Sequence, residues 1–277
     1  MLNKNNLDAL ITDYYKKYYK NELGLNDWQD RVNERLNEEE HFSLKYINFI
    51  ERLLCYDFYE KKVLVIGCGT GGEIVNFHKK GAQIYGIEPN PDAIKICHIK
   101  ALQNEIPTDN IVKSYSEKLP FDNNQFDFIY CFTVLEHVND IEQSVKEMIR
   151  CTSDKGKIFI ELPNHMQLYE GHYKLPLPMF LPIWINKIIL RLIRRPLDFL
   201  GTINKSSIRQ LRNIYRNFPE VTPALILPND DLIKMPKKSF SLVFLVQSIQ
   251  YLIFKIFNQT ANQMWILHKT NLSKDNK

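Results

Sequence analysis

The stretch VLVIGCGTGGE at residues 63–73 constrains this chain more than any other. Its four leading apolar residues read as a short strand buried on both faces. Gly67, Gly69, Gly71 and Gly72 follow, where that strand must turn into a helix over about residues 71–80. Glycine suits such a turn because it reaches backbone angles costly for other residues and lets a ligand come close to the main chain. The first N–H groups of the helix have no partner inside it and point at whatever binds there. Glu88 closes the next apolar run, where a carboxylate can accept both ribose hydroxyls of an adenine nucleoside. The loop alone does not choose the cofactor, since Gly67, Gly69 and Gly72 also satisfy the dinucleotide pattern G-x-G-x-x-G.

Around this loop the pattern alternates. Residues 83–88, 111–115, 126–132 and 156–162 read as further strands, with helices opening at Asn90–Pro91 and spanning 141–150. Such alternation implies right-handed crossovers and a parallel, doubly wound α/β sheet. Residues 1–60 read as a helical preface, with Tyr14, Tyr15, Tyr18 and Tyr19 at helical spacing. Pro163 breaks the alternation, and residues 163–200 read as an insertion followed by a helix over 204–216. A last strand pair is expected at 221–227 and 264–269, with an apolar helix at 240–257 between them. The chain thus divides into 1–60, a nucleotide-binding core at 61–165, a helical insertion or lid with remaining core elements at 166–260, and a final strand within 261–270.

Four segments together resemble the class I S-adenosylmethionine-dependent methyltransferases. Residues 63–71 match that family's first motif, roughly V-L-D-I-G-C-G-T-G, at all but one position. SEKLPF (116–121) resembles its loop before the fourth strand, FDFIYCFTVLEHV (126–138) the fourth strand and the loop after it, and GKIFIELPN (156–164) the fifth strand. The resemblance covers about residues 60–165. It implies a Rossmann-like, seven-stranded sheet and S-adenosylmethionine as cofactor. The loop of Gly67, Cys68, Gly69 and Gly71 would then hold the methionine part and Glu88 the ribose. Ser116 and Glu117 would lie beside the adenine, and Phe132 and Val134 would flank the sulfonium. Two positions depart from the family: Val65 replaces the strand-end acid, and Tyr115 stands where many members carry an acid for the adenine amino group.

Methyl transfer to a neutral hydroxyl needs the acceptor held in line and its proton removed, work suited to histidine. His137 follows the fourth strand and His165 the fifth, on the edge where such sheets bind ligands, and His172 lies in the insertion. These three are the candidate catalytic residues. Tyr169, Tyr173 and Trp184 are candidates to line the acceptor pocket. Residues 164–182 loosely resemble lids of bacterial methyltransferases of cell-surface polysaccharide biosynthesis, which implies a sugar hydroxyl as acceptor. Residues 183–195 mix Trp184, Ile188 and Leu192 with Lys187, Arg191, Arg194 and Arg195, and a basic amphipathic helix of this kind can rest on an anionic membrane surface.

Composition excludes several classes. A net charge of +4 without a dense basic stripe gives no case for nucleic acid, and no Asn-Pro-Pro-aromatic or Pro-Cys loop for base methylation is present. Five scattered cysteines show no metal-ligand spacing, so no metal is expected, and they read as reduced thiols of a cytoplasmic protein, at the inner face of the membrane if the basic helix docks there. The polar start shows no secretory signal, and neither 175–200 nor 240–257 is a clean spanning run. Three readings stay open: a methyltransferase for a small-molecule or glycan hydroxyl, one for a quinone or lipid-linked intermediate, and a cofactor-binding protein without turnover. A dehydrogenase is a distant fourth.

Overall fold

The computed structural model describes residues 4–165, 167–226, 242–257 and 262–270. It opens with helices α1 (Lys4–Lys16), continued by a π-helical turn at Lys17–Glu22, and α2 (Trp28–Leu54). Strand and helix then alternate: β1 (Lys62–Ile66), α3 (Gly72–Lys79), β2 (Gln83–Ile87), α4 (Pro91–Gln103), β3 (Ile111–Val112), β4 (Phe126–Phe132), α5 (Ile141–Cys151) and β5 (Thr152–Pro163). A small hairpin follows, β6 (Tyr169–Glu170) with β7 (Leu175–Pro176), and then α6 (Ile183–Leu192), a 3-10 turn at Asp198–Thr202 and α7 (Ile208–Arg216). The chain returns through β8 (Val221–Ile226), α8 (Leu242–Phe257) and β9 (Asn262–Lys269).

Seven strands form one sheet in the order β3-β2-β1-β4-β5-β9-β8. The first five are parallel, and β9 runs antiparallel to both of its neighbours. This is the expected doubly wound, Rossmann-like sheet, made mixed by its last pair. Strand order reverses between β1 and β4, which opens a crevice beyond their carboxyl ends. The glycine loop and the segment from Thr133 to His137 both leave the sheet there.

Local chemistry sets the boundaries. The Asn90 side chain accepts the Asp92 and Ala93 N–H groups at 2.9 and 3.1 Å, and Pro91 opens α4 behind it. Asp140 caps α5 in the same way, accepting from Gln143 at 3.0 Å. Helix α7 starts at Ile208, later than periodicity suggests, because Ser207 is its cap. Asn204 is instead spent on the loop after β4, donating its main-chain N–H to the Glu136 carbonyl at 2.7 Å and its side chain to the Val138 carbonyl. Strand β3 pairs only over Ile111 and Val112, shorter than expected, while β5 starts early, at Thr152, across a register shift near Phe126.

One apolar layer lies on each sheet face: α2, α3 and α4 cover one, α5 and α7 the other. A third cluster joins α1 and the π turn to the insertion, packing Tyr15, Tyr19 and Leu23 with Tyr173, Leu177 and Leu190. The preface and the insertion therefore share a core over the ligand-binding edge. Met166, residues 227–241 (including the expected start of the 240–257 helix) and residue 261 lie outside the described residues.

Candidate active site

Gly67 and Gly69 carry the loop through left-handed backbone, at φ +65° and +50°. Their surroundings differ. A Cβ on Gly67 would lie 2.5 Å from Val134 Cγ2, so the loop and the segment after β4 touch there. A Cβ on Gly69 would meet only the Gly67 carbonyl, at 4.0 Å, which leaves an open cradle over the main chain. Glu88 closes one side: its carboxylate accepts the Gly69 N–H at 3.0 Å and the Asn90 N–H at 2.8 Å. Burial raises the Glu88 pKa, and these two hydrogen bonds oppose the rise. An open glycine cradle bounded by a nearly buried carboxylate suits the adenine nucleoside and methionine parts of S-adenosylmethionine. Cys68 contributes only backbone shape: its N–H bonds to Ile87, its carbonyl accepts from Gly71, and its thiol lies 3.8 Å from Cys97.

Other expected site residues are placed less simply. The Ser116 hydroxyl points inward to Ser144 at 2.9 Å, leaving its main chain for a ligand. Glu117 accepts the Asn139 N–H at 2.8 Å and so ties this loop to the start of α5. Phe132 stacks on Tyr130 and meets Tyr46 of α2, with ring centroids 5.8 and 4.7 Å away. Val65 is buried in the sheet core and has no polar group to offer, while Tyr115 stands 60% exposed.

The preface supplies a network not anticipated from the sequence. Glu39 of α2 pairs with Lys100 of α4 and accepts from the hydroxyls of Thr70, in the glycine loop, and of Tyr15. Burial alone would raise Glu39, but the Lys100 ammonium outweighs it and holds the carboxyl below the ordinary range. Arg35 donates Nε–H to the Tyr19 hydroxyl at 2.9 Å and lies over the Tyr15 ring at 5.2 Å. A cavity of about 300 Å³ separates these groups from the hairpin loop, with Tyr18, Arg35, Glu39 and Phe42 on one wall and His172 and Lys174 on the other. Tyrosines at helical spacing were the visible signal, but the acidic run at 38–40 resembles a solvated helix face.

The three candidate histidines separate. His137 and His172 meet edge to face, with centroids 5.4 Å apart, and Phe199 packs on both rings at 5.8 and 5.2 Å. The His172 Nδ1–H donates to Glu170 at 2.7 Å, and the second Glu170 oxygen accepts the Tyr173 N–H at 2.6 Å. Burial alone would lower His172, but its bond to Glu170 prevails and raises it. The His137 ring keeps an exposed edge, yet desolvation first and His172 second pull it down to about 4. Next to it, the fully buried Glu136 carboxyl is pushed up to about 7 by burial. His165 stands apart: its Nδ1 accepts the Ser206 N–H at 2.9 Å, fastening the end of β5 to the start of α7, and burial lowers it to about 4. Of the expected pocket aromatics, Tyr173 is buried and bonded to the Pro196 carbonyl at 2.9 Å, while Trp184 is 61% exposed. Although no metal was expected, Glu136, His137 and His172 each bring a donor atom within 4.8 Å of the others.

Comparison with known proteins agrees with this geometry. A family model described as "Methyltransferase domain" matches residues 64–160, from β1 into β5. A ubiquinone biosynthesis O-methyltransferase from Photorhabdus laumondii is 25% identical over 173 residues, 59% of this chain and 69% of that protein. One from Xanthomonas oryzae is 28% identical over 108 residues, 39% of this chain and 45% of its own length. Among solved structures, a SAM-dependent methyltransferase from Archaeoglobus fulgidus aligns with a TM-score of 0.51 at 18% identity, covering 83% of this chain and 94% of that one. A counterpart from Mesorhizobium loti also gives 0.51, at 12% identity, over 79% and 95% of the two chains. At these identities the structural likeness concerns the fold.

Proposed function

Because this chain is an S-adenosylmethionine-dependent methyltransferase, the acceptor is what remains to be assigned, and we propose a hydroxyl oxygen on an apolar, ring-bearing molecule. The observation that carries this reading is the His137–His172 pair under Phe199, beside the buried Glu136 and just beyond β4.

The bound cofactor supplies a methyl carbon already activated by its sulfonium. The chain has to hold that cofactor and bring the acceptor oxygen in line with the methyl carbon. Gly67, Gly69 and Gly71 would receive the methionine part along the main chain and Glu88 the ribose. Val134 and Phe132 bound the reacting space. Transfer forms a carbon–oxygen bond and breaks a carbon–sulfur bond, whose electron pair stays on sulfur. The hydroxyl proton must leave as the bond forms, and the cluster of Glu136, His137 and His172 is polar machinery suited to that task.

The insertion favours an apolar acceptor over a sugar. Helix α8 leaves Leu245, Ile249, Leu252 and Ile253 exposed, while Gln250 is its buried anchor, accepting the Leu168 and Tyr169 N–H groups at 2.8 and 3.0 Å. Helix α6 exposes Trp184, Ile188 and Leu192 on a stretch that also carries Lys187 and Arg191. Residues 166–260 hold thirteen Lys and Arg against five Asp and Glu. Exposed apolar residues in a basic surround suit the surface of an anionic bilayer, where a lipid-tailed acceptor resides. Among the described residues no helix is long and apolar enough to cross a membrane. The O-methyltransferases of ubiquinone biosynthesis among the relatives support the same acceptor class.

The test is a transfer assay with methyl-labelled cofactor against a hydroxylated aromatic ring bearing an isoprenoid tail and against a nucleotide sugar. Label in a methyl ether of the first is expected. Label in the sugar alone would overturn the acceptor assignment.

A further inference from the structure

We propose that Glu136, His137 and His172 form a binding site for one divalent cation of the Zn²⁺ type, held between the loop after β4 and the hairpin loop of the insertion. One donor atom from each residue lies within 4.8 Å of the other two, and the geometry brings together residues far apart in the chain. Two imidazole nitrogens and one carboxylate are a donor set that Zn²⁺ takes in open sites, with a further position left for water or substrate.

Two further observations point to a ligand. The Glu136 side chain is completely buried, and neither of its carboxylate oxygens has a hydrogen-bond partner among the described residues. A buried carboxylate is otherwise paired, protonated or bound to a cation. The second observation is the support behind the His172 ring. Glu170, itself 1% exposed, accepts the His172 Nδ1–H and is fixed by the Tyr173 N–H. Metal-binding histidines characteristically donate one ring N–H to a carboxylate or a main-chain carbonyl, which sets the tautomer and leaves the other nitrogen free. Here the His172 ring has such a partner in Glu170.

The inference deepens the hydroxyl-acceptor reading and rests on it for its chemical role. A hydroxyl oxygen that enters the open position loses its proton more readily, because the cation stabilises the oxyanion. The proton passes to water, His137 serves as a ligand rather than as a free base, and Glu170 is a positioning residue. A cation held there would also bridge the insertion and the sheet edge.

The experiment is Zn²⁺ titration of the metal-free full chain in competition with a chromophoric chelator, repeated with Mn²⁺ and Mg²⁺. One Zn²⁺ per chain is expected, bound more tightly than Mg²⁺. Replacing a ligand (Glu136→Gln, His137→Ala or His172→Asn) lowers affinity by at least about tenfold, and Glu170→Gln lowers it by about 10- to 100-fold. Far-ultraviolet circular dichroism identifies variants that fold, and the exposed His137→Ala keeps the test decisive if Glu136→Gln does not. A wild-type chain that takes up no Zn²⁺, or folded ligand variants that bind it as tightly as wild type, would overturn the proposal. Zn²⁺ binding without methylation of any hydroxyl would leave the metal site standing and remove the acceptor reading. Methylation by a chain that takes up no Zn²⁺ would do the reverse.

Discussion

Val134 packs directly over Gly67: a Cβ at position 67 would lie 2.5 Å from Val134 Cγ2, with backbone already at φ +65°. The glycine loop and the segment that leads to Glu136 and His137 are therefore in contact, and a change in one displaces the other.

Gly67→Ala is expected to destabilise the chain by about 1–3 kcal/mol through backbone strain and crowding, and to weaken cofactor binding by at least about tenfold. Val134→Ala in the same chain removes the crowding and leaves the strain. The double variant should recover part of the lost stability in urea unfolding. Equal losses in the single and double variants would show that the contact does not matter.

Glu88 holds two main-chain N–H groups, and the ribose contact is proposed for the same carboxylate. Glu88→Ala leaves both donors without their acceptor, at about 1–3 kcal/mol, and should weaken S-adenosylmethionine by about 10- to 100-fold. Glu88→Gln keeps one acceptor oxygen and should lie between the two. Calorimetric affinities together with melting temperatures separate these effects, and an unchanged affinity in a folded Glu88→Ala chain would remove the ribose assignment.

The same residues show what a sequence can disclose. Gly67, Glu88, the Asn90 cap and the bounds of β4 follow from local rules: a buried apolar run, a turn needing glycine, a side chain that satisfies open N–H groups. The Glu39–Lys100–Thr70 network does not, because an acid in a helical run of acids is usually solvated and nothing local says that α2 covers the loop. His172 lay in an insertion with no periodicity, so its meeting with His137 depends on how the hairpin packs against the preface. His165 looked equivalent by position, and only its bond to Ser206 shows that it fastens the backbone. The antiparallel entry of β9 depends on pairing across the whole chain, which strand patterning does not encode.

Glu161 of β5 is fully buried, and burial first and Glu136 second raise its pKa well above the ordinary carboxylate value. The folded chain therefore keeps this proton over a pH range where the unfolded chain has lost it, so stability falls as pH rises above about 4.3, the usual glutamate value. Glu161→Gln abolishes that slope. Urea unfolding from pH 4 to 8 should show a wild-type disadvantage that grows with pH and shrinks near pH 4. A difference independent of pH would contradict a raised Glu161.

Membrane docking should depend on both components of α6 and its flank. Arg191→Glu with Arg194→Glu is expected to reduce sedimentation with anionic vesicles by about tenfold or more, and Leu192→Ser to reduce it at any salt concentration. Wild-type chain that stays in solution with such vesicles would end the proposal.

Titration calorimetry of the full chain tests most directly for a site for S-adenosylmethionine at the carboxyl ends of β1 and β2. Saturable binding of one S-adenosylmethionine per chain, and of its demethylated product, is predicted, with no heat from NAD. Binding of NAD without binding of either methyl-transfer ligand would contradict it.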